Sequence, residues 1–77
     1  MSSWTLETYE TVHKTYPDWR ITAEYRWDKG GGYSTFVGVF DEKGCHILTI
    51  FKGQYGTKEG ARRAYRRQIK KLEQGDY

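Results

Sequence analysis

The sequence predicts an α+β fold of two layers, a three-stranded antiparallel sheet packed on helices in the order αβββα. Three observations predict it. A period-two alternation runs from Trp19 to Trp27, two short β-rich segments flank a tight turn, and the segment from Lys58 to Gln74 is amphipathic with a helical period. At 77 residues the chain makes one domain, residues 1–77. A domain this small buries only about 60% of its unfolded surface. Its 17% aromatic content answers that need, because each buried ring removes roughly 150–250 Å² from water.

From Trp4 to Tyr16, the apolar residues Leu6, Tyr9, Val12 and Tyr16 fall three or four apart, which predicts a first helix. Its threonines and tyrosines lose rotamer freedom in that conformation. Pro17-Asp18 ends the segment, since proline cannot continue a helix. Trp19, Ile21, Ala23, Tyr25 and Trp27 then alternate with Arg20, Thr22, Glu24 and Arg26, so the aromatic row is expected to pack beneath the helices. Asp28-Lys29-Gly30-Gly31-Gly32 reads as a flexible loop. A second strand, Tyr33 to Phe40, meets a third, Cys45 to Lys52, across Asp41-Glu42-Lys43-Gly44. Phe36-Val37 and Ile47-Leu48 blur the alternation there, as expected if both faces are covered or one apolar row is left for a partner. Gly53-Gln54-Tyr55-Gly56 is expected to break the third strand. Thr57 is a suitable N-cap for the last helix, and Gly75 a suitable stop. On a helical wheel, Ala61, Ala64, Tyr65, Gln68, Ile69 and Leu72 cover an arc of about 140°.

The charge is polarised. Residues 56–77 carry seven Lys/Arg and three Asp/Glu, a net of +4, whereas residues 1–55 carry six and seven, a net of −1. The formal charge of +3 is therefore all C-terminal. The bases from Arg62 to Lys71 fill the side of the wheel opposite the apolar arc, with no acid interleaved. A face kept only for solubility would normally mix signs, and like charges four residues apart cost a few tenths of a kcal/mol. Such a face is suited to a polyanion, because each Lys or Arg that meets a phosphate releases a condensed counterion.

Nothing in the residues points to a reaction or a cofactor. His13 and His46 are lone histidines beside a single cysteine, so no metal site is expected. Cys45 and His46 are adjacent on a strand and would point to opposite faces, so they make no nucleophile-base pair. The GxxG at Gly53 to Gly56 lies between a strand and a helix, unlike that of KH domains, and no phosphate-binding P-loop exists. No apolar run nears the roughly 18 residues of a membrane span. Met1 to Thr5 lacks the character of a signal peptide, and one cysteine cannot form an internal disulfide. A cytoplasmic protein without a small-molecule substrate is expected.

The order αβββα, the Gly30-Gly31-Gly32-Tyr33 loop, the Pro17-Asp18-Trp19 approach to the first strand and Thr57-Lys58-Glu59-Gly60-Ala61-Arg62-Arg63-Ala64 resemble the double-stranded RNA-binding domain. The resemblance implies that Lys58 and Arg62 reach phosphates across a groove while Ala61 and Ala64 pack on the sheet. The loop lacks the Pro and His usual in that family, and Glu59 stands where a second lysine is expected. The resemblance thus implies anion binding more than selection of duplex RNA. The stretch from Gly32 to Leu72, with Thr57-Lys58-Glu59, is also similar to the small DNA-binding domains of phage and transposon integrases. That likeness implies that the open sheet face, with Arg20, Thr22, Glu24 and Arg26, reads DNA. The expected function is a non-enzymatic nucleic-acid-binding module for duplex RNA or DNA. Lys58, Arg62, Arg63 and Arg66 would meet phosphates, Arg67, Lys70 and Lys71 would extend the field, and Lys29 and Tyr33 would assist from the loop. The alternative is a protein-interaction module that docks an acidic partner or forms a homodimer through its sheet.

Overall fold

In the computed structural model, which describes residues 3–77, four antiparallel strands form one sheet and a single helix follows them. The elements are β1 (Ser3–Val12), β2 (Arg20–Asp28), β3 (Tyr33–Phe40), β4 (His46–Tyr55) and α1 (Lys58–Glu73). The strands lie side by side in chain order, as a meander. The α+β class is the one the sequence predicts, but its order is ββββα, not the αβββα of the double-stranded RNA-binding domain. Met1 and Ser2, at the head of the segment read for a leader, lie outside the described residues.

The predicted helix over 4–16 is a strand. β1 pairs with β2 along its length, with Trp4 opposite Trp27, Tyr9 opposite Ala23 and Thr11 opposite Ile21. The register shifts between Thr5 and Glu7, where Leu6 is the extra residue of a β-bulge. The bulge breaks the period of two and leaves Leu6, Tyr9 and Val12 three apart, which is helical spacing. Leu6 and Val12 are not core residues: they are 36% and 48% exposed. The Thr, Tyr and Trp content of the segment, unfavourable to a helix, suits a pleated strand.

β4 likewise departs from the expectation: it does not break at Gly53 but runs on to Tyr55. Gly53 pairs with Thr35 and Tyr55 with Tyr33. The Tyr55 ring lies across Gly53, where a Cβ would stand 2.7 Å from its hydroxyl. The strand also starts one residue late, since Cys45 precedes it and is exposed. Two register shifts, with Ile47 and Ile50 as the extra residues, explain why the alternation in β4 is blurred. In β3 the side chains alternate although the burial does not: Thr35, Val37 and Val39 are buried beneath α1, while Ser34 and Gly38 on the other face are buried too and Phe36 and Phe40 there are half-buried.

The core sits between one face of the sheet and α1. Ile21, Ala23 and Tyr25 of β2 and Thr35, Val37 and Val39 of β3 meet Ala61, Ala64, Tyr65, Gln68 and Leu72 of α1, all buried. The helix arc read from the sequence is the arc that is buried, with Ile69 half-buried at its margin. Trp27, expected in the same row, is 39% exposed. The helix packs on β2, β3 and β4. The buried Thr35 hydroxyl donates to the Ala61 carbonyl at 2.7 Å, tying the helix to the middle of the sheet. The Tyr25 and Tyr65 rings meet 4.9 Å apart and tilted by 54°. The Tyr25 hydroxyl donates to Glu7 Oε2 at 2.9 Å and so links β1 to this core.

Burial pushes the Tyr25 phenol above its usual 10.0, and the hydrogen bond and negative charge of Glu7 push it the same way. Tyr65 is raised too, by burial first and by Glu7 next. A phenol that holds its proton more tightly when folded stabilises the fold fully below about pH 10, and that stabilisation is lost as the pH climbs through the folded-state value. The unfolding free energy is therefore expected to fall as pH rises above about 10. The fall should be shallower in Tyr25→Phe, as urea denaturation at a series of alkaline pH values would measure.

The turns are closed by hydrogen bonds. Asp28 N–H donates to Gly32 O at 2.8 Å and Gly31 N–H to Asp28 O at 2.9 Å, so the Gly30 to Gly32 loop is a defined turn. Asp41 Oδ1 accepts from the N–H groups of Lys43 and Cys45, each at 2.9 Å. After α1, Gly75 adopts φ +73°, and the N–H groups of Gly75 and Asp76 bond back to Leu72 and Lys71. This is a Schellman stop.

Candidate nucleic-acid interface

The basic face of α1 is set by where the helix starts and which side it buries. Thr57, in extended conformation, caps the N-terminus, and its hydroxyl oxygen accepts from Gly60 N–H at 3.1 Å. Removing that oxygen leaves a donor of the first turn without its partner. Thr57→Ala is expected to cost about 1 kcal/mol, as the shift of a thermal or urea unfolding midpoint would show. With Ala61, Ala64, Tyr65, Gln68 and Leu72 turned to the sheet, Lys58, Arg62, Arg63, Arg66, Arg67, Lys70 and Lys71 are all exposed. They extend along roughly 20 Å of helix, at 1.5 Å per residue.

These charges are unneutralised within the fold. Among the described residues the ion pairs are those of Arg26, with Glu24 at 3.4 Å and Asp28 at 3.7 Å. Neither Glu59 nor Glu73 comes within ion-pair distance of a helix base. Lys70 and Lys71 stand in the last turn, where they complement the negative end of the helix dipole. The other five bases have no such local role. Arg66 and Lys70 border a groove of about 380 Å³ that also includes Glu7, Tyr65, Ile69 and Glu73. Arg62, Arg63 and Arg66 line a shallower one with Glu59.

The sequence-predicted loop residues join this face at one end only. Lys29 is exposed in the β2–β3 turn, and Tyr33 is half-buried at the start of β3. Tyr33 pairs with Tyr55, from which Gly56-Thr57 leads into α1 at Lys58. Lys29 and Tyr33 therefore lie at the end of the sheet from which the chain enters α1 at Lys58, and Lys70 and Lys71 stand at the far end of the helix.

A second set of residues, not singled out from the sequence, lies on the sheet face away from α1. Phe36 and Phe40 lean over Gly38, where a Cβ would come within 2.6 Å of the Phe36 ring and 3.3 Å of the Phe40 ring. His46 adjoins both, with ring centroids 6.0 Å from Phe36 and 5.4 Å from Phe40. Its Nε2 is 3.1 Å from Thr49 Oγ1. Beside Phe36 a groove of about 570 Å³ opens toward the β2–β3 turn, bordered by Arg26, Lys29, Ser34, Lys52 and Gln54. The available signal was the F-x-G-x-F pattern of β3, two aromatics on one strand face across a glycine.

His13 belongs to a different cluster. Its ring lies 5.4 Å from Tyr16, 5.4 Å from Trp19 and 5.2 Å from Tyr77, and its Nδ1 accepts from the N–H groups of Thr15 and Tyr16. Lys14 N–H donates to the Tyr77 hydroxyl at 2.7 Å, so the cluster clasps the C-terminal residues to the β1–β2 loop. Among the described residues, no three of His, Cys, Asp or Glu group as metal ligands would. Among the same residues, no helix is long and apolar enough to cross a membrane. No family model matches the chain, and neither do curated proteins or solved structures.

Proposed function

We propose that this protein is a non-enzymatic module that binds nucleic acid by its phosphate backbone through the outer face of α1. One observation carries the reading: seven bases stand exposed along one helix, and among the described residues none is paired with an acid. Lys58, Arg62, Arg63 and Arg66 contact phosphates near the helix start, where the N-terminal dipole adds to the field. Arg67, Lys70 and Lys71 extend it, and Lys29 and Tyr33 contribute from the adjoining turn. Contacts of this kind set affinity and register but carry no sequence information.

The test is a titration of the protein with duplex RNA, duplex DNA and single strands at two salt concentrations. If four bases meet duplex phosphates at once, the log–log slope is about −3.6, at about −0.9 per phosphate. Affinity then drops roughly 10²-fold between 50 and 200 mM salt. Absence of binding to all three probes at low salt removes the reading. The alternative, a protein-interaction module, draws on β1, an edge strand of the sheet that exposes Trp4 at 70% and Val12 at 48%. Self-association in sedimentation, without nucleic-acid binding, would favour that reading.

A further inference from the structure

We infer that the groove beside Phe36, on the sheet face opposite α1, holds an unstacked nucleotide of a single-stranded nucleic acid. This inference rests on the phosphate-binding reading of α1 and adds to it a second surface and a strand preference. Three observations point to that occupant.

The first is the aromatic surface. Phe36, Phe40 and His46 form a row on a sheet face that no helix covers, and Gly38 lets the two phenyl rings lie down between the strands. A flat ring supported from below and open above offers a stacking surface that any base can use. In a duplex the bases are already stacked on each other, so the ring selects for a base free of its partner.

The second is charge. The groove is bordered by Arg26, Lys29 and Lys52 against Asp28, with Glu24 opposite Phe36 at its margin, so the bases stay in excess by one. Arg26 is already drawn toward Glu24 and Asp28, whereas Lys29 and Lys52 are exposed and unpaired. The Gln54 amide beside Lys52 can both donate to and accept from a base edge. An apolar ring flanked by free cations and one amide matches a base with its phosphate. It does not match a hydrophobic helix, which would leave the cations and the amide without a partner.

The third is continuity. The groove reaches Lys29, Tyr33 and Tyr55, and Tyr55 leads through Gly56-Thr57 to Lys58. A strand bound along the first turns of α1 can pass around this end of the sheet and enter the groove, skirting Glu59 at the helix start and Asp28 and Glu24 at the groove.

The test uses the intact protein with a 12-nucleotide oligothymidine and a 12-base-pair DNA duplex, by fluorescence anisotropy at 50 mM salt. Circular dichroism checks that each variant folds. Phe36→Ala is expected to weaken the single strand at least 10-fold and to leave the duplex within twofold, in line with what one base-aromatic stack contributes. Phe36→Tyr keeps the ring and should retain affinity. Lys52→Glu alters an exposed residue that no core contact needs, and it should weaken the single strand in the same selective way. Arg62→Glu with Arg66→Glu should weaken both probes. If folded Phe36→Ala and Lys52→Glu bind the oligothymidine within twofold of wild type, the groove is not its site and the inference fails, while the reading of α1 stands on the arginine pair. Equal loss for strand and duplex would also overturn it, because the groove would then act by charge alone. No binding of either probe to the wild type overturns the inference, and no binding of duplex RNA as well removes the reading of α1.

Discussion

Replacing Arg62 and Arg66 together by glutamate is expected to weaken nucleic-acid binding by at least roughly 10²-fold at low salt, and to reduce the salt slope by about two. Each arginine removed gives up one released counterion, and each glutamate added places a repelling charge where an attracting one stood. The fold should survive. Both side chains are exposed on the outer flank of α1, neither holds an ion pair, and glutamate is a good helix former. Separating i,i+4 positive charges even relieves a small repulsion with Lys58 and Lys70. The pair Arg63→Glu and Arg67→Glu makes the same change in net charge on the other flank of the helix. If both pairs cost the same, the whole outer face acts as a diffuse field. If the first pair costs more, the strand follows the flank that begins at Lys58. Unchanged affinity and slope in folded Arg62→Glu/Arg66→Glu would mean that the face serves solubility, and the proposal would have to be given up.

What the sequence made legible follows from how fully each element is buried on one side. In α1 the core side and the solvent side differ completely, so the wheel separated Ala61, Ala64, Tyr65, Gln68 and Leu72 from the bases without reference to any neighbour. β2 lies under the helix with its far face open, and Ile21, Ala23 and Tyr25 alternate accordingly. β1 is different. The helix rests on β2 to β4, so the row of β1 that would face it is only partly covered and includes Glu7 and Thr11. A strand under so little demand for apolar side chains need not alternate, and the bulge at Leu6 shifts what alternation remains. The resulting spacing imitates a helix. β4 is legible as a strand but not in its extent, because the gap at Gly53 is filled by the ring of Tyr55, two residues later, which no local rule of sequence reveals. The open-face groove was hidden for a related reason. Phe36 beside Val37 looks like noise in one row, and becomes a second row only when Phe40 and Gly38 are placed on the same face.

Tyr25→Ala is expected to cost the domain about 3–5 kcal/mol, a large part of its stability. The ring is 2% exposed, packs at a tilt against Tyr65 and carries the only side-chain hydrogen bond between β1 and the core row of β2 among the described residues. Truncating a buried aromatic costs about 3–5 kcal/mol, and a chain of this length has about 4–12 kcal/mol in total at roughly 0.05–0.15 kcal/mol per residue. The loss has two parts that a milder variant separates. Tyr25→Phe keeps the ring and its contact with Tyr65 but gives up the bond to Glu7, which faces solvent and can turn to water. That change should cost only about 0.5–1.5 kcal/mol. Urea unfolding of the two variants measures both quantities directly. A cost for Tyr25→Ala close to that of Tyr25→Phe would mean that the ring contributes little, and that the helix is held by Thr35, Ala61 and the β3 valines instead. A large gap between them makes Tyr25 the residue that joins three elements at once. The basic outer face of α1 then keeps its place over the sheet because its inner face is seated on this one ring.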